Sequence, residues 1–333
     1  VTTATASARI CPQCLAQLAP ALLACPRCGS LVYAERLQEL AQLAHVATEN
    51  GDIAGALAAW REAIELLPAN SRQYQVIAAK IAELSNKIGT GQTRTATGRS
   101  SSGRRGALAA AGAVLLFVLT KAKLLLLGLA NWSTLASMLL SLGVYWTAWG
   151  WKFALGLVVS IYIHEMGHVV ALRRFGFKAS APLFIPGLGA VIRLQQRVTN
   201  PREDAAIGLA GPIYGLGAAL ASAALWIATK HPIFGAIASV GAWINLFNLT
   251  PVWTLDGGRA FHGMSRGQRL LCALAAGICW YFVRDGMLLL LLIVLGLRVL
   301  SEPGDKAGNR SATSQYVLLV VALSLLCLIK VKV

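Results

Sequence analysis

Charge is scarce in this sequence. Only 13% of its 333 residues are Asp, Glu, Lys or Arg, and acidic side chains number just 14. A soluble domain carries about a quarter of its residues as charges. A chain that is 56% hydrophobic, with mean hydropathy +0.61, therefore reads as a polytopic membrane protein instead. Histidine is scarcer still, at five residues. That argues against a zinc transporter built on rows of intramembrane His and Asp. The basic stretch 89–106 contains no aromatic residue, so it lacks stacking groups for single-stranded nucleic acid, and nucleic acid is not an expected partner. Residues 1–30 lack a basic region followed by an apolar one, the mark of a secretory signal, which leads us to expect a reducing, cytosolic setting for the N-terminal region.

The net charge of +16 comes from 30 Lys and Arg. Much of it is dispersed near the ends of apolar runs, at Arg173, Arg174, Lys178, Arg193 and Arg197. This distribution fits the positive-inside rule and contact with anionic membrane lipids. The expected fold is all-α and multi-pass, with six to eight spans. A short membrane-embedded β-hairpin and a small N-terminal zinc ribbon with a helical module complete it.

Four of the seven cysteines fall in residues 1–32, as Cys11-Pro12-Gln13-Cys14 and Cys25-Pro26-Arg27-Cys28-Gly29. Two CxxC pairs at this separation can offer four thiolates to one structural Zn2+. Two disulfides are the competing arrangement, and a cytosolic setting favours zinc. Residues 33–88 have helical periodicity. Ala56, Trp60, Ala63, Leu66 and Pro68 resemble the second helix of a tetratricopeptide repeat. A single repeat makes no long groove, so this module is expected to be a small docking surface for a protein partner, or an ordinary helical hairpin. Residues 89–106 form a Gly/Ser/Thr linker with four arginines, and 107–333 form the membrane domain.

The apolar run around Phe153–Leu172 contains His164-Glu165-Met166-Gly167-His168. On a helix, histidines at i and i+4 project from one face and can hold two corners of a zinc site. Glu165 is then placed to take a proton from the attacking water. A chance match is the plain alternative. It is weakened by the cost of three ionisable groups inside a membrane span. Downstream, Ala181–Ile192 contains two prolines and two glycines, which disfavours a helix and predicts a hairpin dipping toward the site. An exposed strand there would suit an extended peptide. Further on, Leu255-Asp256-Gly257-Gly258 places an acid beside a Gly-Gly turn. Asp256 could supply the third zinc ligand, or merely cap a helix or turn.

His164-Glu165-Met166-Gly167-His168, together with Asn248-x-x-Pro251-x-x-x-Leu255-Asp256-Gly257-Gly258, resembles the site-2 protease family of intramembrane zinc metalloproteases. Ala210-Gly211-Pro212 and the Pro-Gly hairpin are similar to family elements too. The resemblance covers roughly residues 124–261. It implies that His164, His168 and Asp256 bind zinc, that Glu165 is the general base, and that Asn248 contacts the substrate backbone or the oxyanion. The chain departs from the family at Gly215, where many members have Asn.

The resulting expectation is a multi-pass zinc metalloendopeptidase with one catalytic and one structural Zn2+. Its substrates would be transmembrane segments of other proteins, cut in regulated intramembrane proteolysis. A membrane scaffold, recruiting partners through the zinc ribbon and helical module, is the rival reading.

Overall fold

The computed structural model describes residues 9–91, 131–187, 189–192, 194, 196, 198–252, 255–301, 304–305 and 307–331. Most of the expected linker, the apolar run Ala107–Ala130, and Arg193 and Arg197 lie outside the described residues. The chain divides into two compact units. The first comprises residues 1–96 with Arg173–Lys178, and the second comprises the rest.

The first unit begins with two short strands, β1 (Arg9–Ile10) and β2 (Gln17–Leu18), paired antiparallel. Three helices follow: α1 (Ala34–Glu49), α2 (Ile53–Glu65) and α3 (Arg72–Gly91). The last extends past the boundary at residue 88 that composition suggested. Asp52 caps α2 by accepting from the Gly55 N–H at 2.9 Å. Ala56, Leu57, Trp60 and Ala63 on α2 are buried, as are Leu40 and Ala44 on α1. That is the periodic apolar face seen in the sequence.

This unit also takes in Arg173–Lys178. Phe175 and Phe177 are buried. Arg61 donates from Nε to the Phe175 carbonyl at 2.9 Å, and its guanidinium lies 3.8 Å from the Phe177 ring centroid. Lys178 pairs with Glu62, which also accepts from Arg36. Between the two phenylalanines, Gly176 has φ +72° and sits so close to α2 that a Cβ would lie 2.6 Å from the Ala58 nitrogen. Both facts demand glycine.

The second unit is a helical assembly. Its elements are α4 (Trp132–Trp149), α5 (Trp151–Arg174, whose last two residues count with the first unit), α6 (Pro201–Thr229) and α7 (Pro232–Asn248). Then come α8 (Asp256–His262), α9 (Arg266–Val283), α10 (Gly286–Ser301) and α11 (Arg310–Cys327). Among the described residues, α5, α6 and α11 are long and apolar enough to cross a membrane, and α7 and α10 are shorter apolar helices. The six to eight spans expected from sequence include the run Ala107–Ala130, which lies outside the described residues. Two further segments expected from sequence form α4, which carries Ser133, Thr134, Ser137 and Ser141, and α9, which carries Arg266, Gln268 and Arg269.

Small residues set the helix spacing. A Cβ on Gly167 of α5 would fall 2.4 Å from the Ala210 carbonyl oxygen of α6, and one on Gly208 would fall 2.8 Å from that of Asp256. Backbones this close need glycine at the crossing. The apolar core runs through α6, α7, α8, α9, α10 and α11. The C-terminal helices also brace the stretch around Asp256. Tyr316 donates to the Leu249 carbonyl, Arg298 to that of Pro251 at 2.8 Å, and Arg269 to that of Phe261 at 2.9 Å. The Phe261 carbonyl also accepts from the Met264 N–H at 3.1 Å, so Arg269 adds a second bond there.

The hairpin forms as expected, with β3 (Leu183–Ile185) antiparallel to β4 (Gly189–Val191). Helix α4 covers its β3 side. Thr134 donates to the Pro182 carbonyl, the Phe184 N–H donates to Ser137 Oγ, and the Gly187 N–H donates to Tyr145 Oη. Phe184 also joins a core with Tyr162 and Met166 of α5. With β3 covered, β4 is the strand that lines the central cavity.

Candidate metal centre

Helix α5 presents His164, Glu165 and His168, all buried, to a cavity of about 1760 Å³. That exceeds the usual size of a small-molecule site, roughly 300–1,000 Å³. One helical turn brings the two His Nε2 atoms to 3.2 Å. Asp256 closes the triangle, with Oδ2 at 3.0 Å from His164 Nε2 and Oδ1 at 3.1 Å from His168 Nε2. The capping role open to Asp256 is not the one it takes. Leu255 occupies the N-cap of α8, and the Asp256 carboxylate turns to the histidines.

The second nitrogen of each ring has a partner. His168 Nδ1 lies 2.8 Å from the Ile207 carbonyl, and His164 Nδ1 lies 2.8 Å from Asn245 Oδ1. A carbonyl oxygen can only accept, so each Nδ1 carries the hydrogen and each Nε2 offers a lone pair. Two lone pairs and a carboxylate converging on one point suit a cation. Ligands about 2.0–2.1 Å from a tetrahedral zinc lie roughly 3.3–3.4 Å from one another, close to the separations here. Two nitrogens and one oxygen leave a fourth position free, the pattern of a catalytic rather than a structural site. Asn248 also lines the cavity, with Nδ2 3.5 Å from His164 Nε2.

The four N-terminal cysteines form the other metal-competent group among the described residues. Cys11 Sγ is 3.6 Å from Cys28 Sγ, and Cys14 Sγ is 3.5 Å from Cys25 Sγ. These distances exceed a disulfide bond, about 2.05 Å, and approach the roughly 3.8 Å between thiolates on one tetrahedral zinc. Each CxxC pair ends in a left-handed residue, Leu15 at φ 57° and Gly29 at φ 73°. The backbone there turns sharply enough to aim both sulfurs the same way.

Asn245 and Ile207 were not among the residues singled out from sequence. For Asn245 a signal existed: an amide within an apolar helix needs partners. For the Ile207 carbonyl none did, since its role depends on backbone geometry alone.

Residues 152–231 match the model of peptidase family M50. The matched region holds the HExxH sequence and Gly211-Pro212, and ends before Asp256. The chain is 31% identical over 117 residues to a zinc metalloprotease of Methanocaldococcus jannaschii, covering 33% of each protein. It is 26% identical over 185 residues to a candidate zinc metalloprotease of Synechocystis sp., covering 49% of this chain and 48% of the other. A candidate zinc metalloprotease of Mycobacterium tuberculosis is 31% identical over 149 residues, covering 41% of this chain and 37% of its own. The chain thus spans between a third and a half of the length of these relatives. No solved structure matches it. Over its central segment, this chain is similar in sequence to peptidase family M50 and to zinc metalloproteases, and it brings together two histidines and an aspartate that could hold a metal ion.

Proposed function

We propose that this chain is an intramembrane zinc metalloendopeptidase that hydrolyses peptide bonds in transmembrane segments of other proteins. The observation that carries the reading is the convergence of His164, His168 and Asp256 beside Glu165, in one cavity edged by β4. Zinc held there would supply an acidified water and a polarised scissile carbonyl. Glu165 accepts the proton of the attacking water on its carboxylate and returns it to the departing amine nitrogen. Asn248 Nδ2 donates a hydrogen bond to the oxygen on which negative charge develops.

The substrate strand adds to β4, whose partner β3 is covered by α4. Backbone hydrogen bonding then holds an extended peptide across the site. A substrate helix must unwind first, because its carbonyls are engaged within the helix. Substrate spans with Gly or Pro near the cut should therefore be preferred. The four cysteines hold a second, structural zinc. The protein crosses the membrane several times, and Arg173-Arg174 at the end of α5 supports a cytosolic N-terminal unit. That unit, with its helical module, offers a surface to a protein partner. The scaffold reading loses ground because all four groups needed for hydrolysis are present and face one cavity.

The test is cleavage of single-span substrates in proteoliposomes by wild type and Glu165→Gln. The variant should keep its zinc and lose activity by at least about 100-fold. Cleavage at the wild-type rate would remove Glu165 from the mechanism. Absence of zinc that depends on Asp256 would remove the metal centre.

A further inference from the structure

We propose that Asn245 is a positioning residue for the metal centre, locking the His164 ring so that its Nε2 faces the point shared with His168 and Asp256, and that Gly215 exists to make room for it. The inference rests on the reading that this triad binds zinc.

Asn245 lies in the apolar helix α7 and is buried. Its amide could in principle sit either way round, but its neighbours decide. Nδ2 donates to the Gly241 carbonyl, one turn back, at 2.7 Å. That oxygen can only accept, so the amide nitrogen must face it. Oδ1 is thereby turned to His164 Nδ1, at 2.8 Å. An acceptor at Nδ1 holds the hydrogen there and leaves Nε2 bare for a metal. A flipped amide would set two oxygens against each other at Gly241 and offer a donor to His164. The orientation is thus fixed by a chain of two hydrogen bonds that starts on the backbone of α7 and ends at a ligand on α5.

The space for this chain comes from α6. A Cβ on Gly215 would lie 2.1 Å from Asn245 Oδ1 and 2.5 Å from Nδ2. Any side chain there displaces the amide. His168 has no such dependence, because its acceptor is the Ile207 carbonyl, which belongs to the main chain. The two ligands are therefore held by different means, and substitution can loosen one without touching the other.

The test uses the full-length protein in lipid nanodiscs, loaded with cobalt(II) and titrated with a chelator. Cobalt on nitrogen and oxygen ligands gives d–d bands distinct from the thiolate charge-transfer bands of the cysteine site. The bands lost in Asp256→Ala mark the site in question. Asn245→Leu fills the space without an acceptor, and Gly215→Ala pushes the amide away. Both should lower cobalt affinity at that site by about 10- to 100-fold, leaving the thiolate bands unchanged. Asn245→Asp keeps an acceptor toward His164 but sets an oxygen against the Gly241 carbonyl, so it should lose less affinity than the Leu variant without matching wild type. Wild-type affinity in Asn245→Leu overturns the proposal, as does an Asp variant no better than the Leu variant. If the Leu variant does not fold, Gly215→Ala decides: a tenfold loss supports the proposal and an unchanged affinity overturns it. If wild type itself shows no bands that depend on Asp256, both this inference and the metal centre on which it rests fail.

Discussion

Gly211 of α6 stands directly against His168 of α5: a Cβ at position 211 would lie 2.1 Å from His168 Nε2 and 2.7 Å from His164 Nε2. The missing side chain is what keeps both Nε2 atoms clear. Gly211→Ala should therefore abolish metal binding at this site, with the cysteine site unaffected. Zinc content of the purified variant, falling by one equivalent, is the measurement. Full retention of zinc would mean that α6 can retreat from α5.

Tyr316→Phe should destabilise the second unit. The phenol is buried and donates to the Leu249 carbonyl, just before the stretch that leads to Asp256. Without it a buried acceptor is left unpaired, at a cost of about 1–3 kcal/mol. Gly257 packs against the same carbonyl, so little room remains for a replacement donor. A lowered thermal midpoint in detergent checks this, and an unchanged midpoint would show that another donor reaches Leu249.

The contact between α2 and Lys178 should depend on pH. Lys178 and then Arg36, both bonded to Glu62, hold its carboxyl below the usual range, against a smaller opposing effect of burial. A lowered folded-state value contributes stability above the unfolded value, about 4.3, and that contribution fades as pH falls below it. All three side chains are partly exposed, so the contribution is below about 1 kcal/mol. Glu62→Gln should lower the thermal midpoint of the N-terminal unit slightly at pH 6, with the difference shrinking below pH about 4.3. A difference that grows on acidification would contradict the sign.

Replacing Cys11, Cys14, Cys25 and Cys28 by serine should remove one zinc and leave the Asp256-dependent zinc in place. The cysteine turns should then lose order, since they have only a small apolar cluster around them. Metal analysis of the variant beside Asp256→Ala separates the two sites. Loss of both metals on serine substitution would show that the sites are coupled.

Much of this protein was legible in its sequence because the relevant spacings are short. His164 and His168 share a helix face by the pitch of a single helix, and Glu165 lies between them by the same rule. The CxxC pairs, the periodic face of α2 and the Pro-Gly hairpin are equally local.

What tertiary structure alone decided are the relationships between distant segments. Asp256 could equally have capped a helix, and only the close crossing of α5, α6 and α8 at Gly167, Gly208 and Gly211 turned its carboxylate toward the histidines. The acceptors behind those histidines, Asn245 and the Ile207 carbonyl, come from two other helices. The packing of Phe175 and Phe177 against α2 joins residues more than a hundred positions apart. Spacing along one helix sets which side chains share a face. Which segments meet across that face depends on where the backbones can approach, and a run of small residues in the sequence marks that an approach is possible without naming its partner.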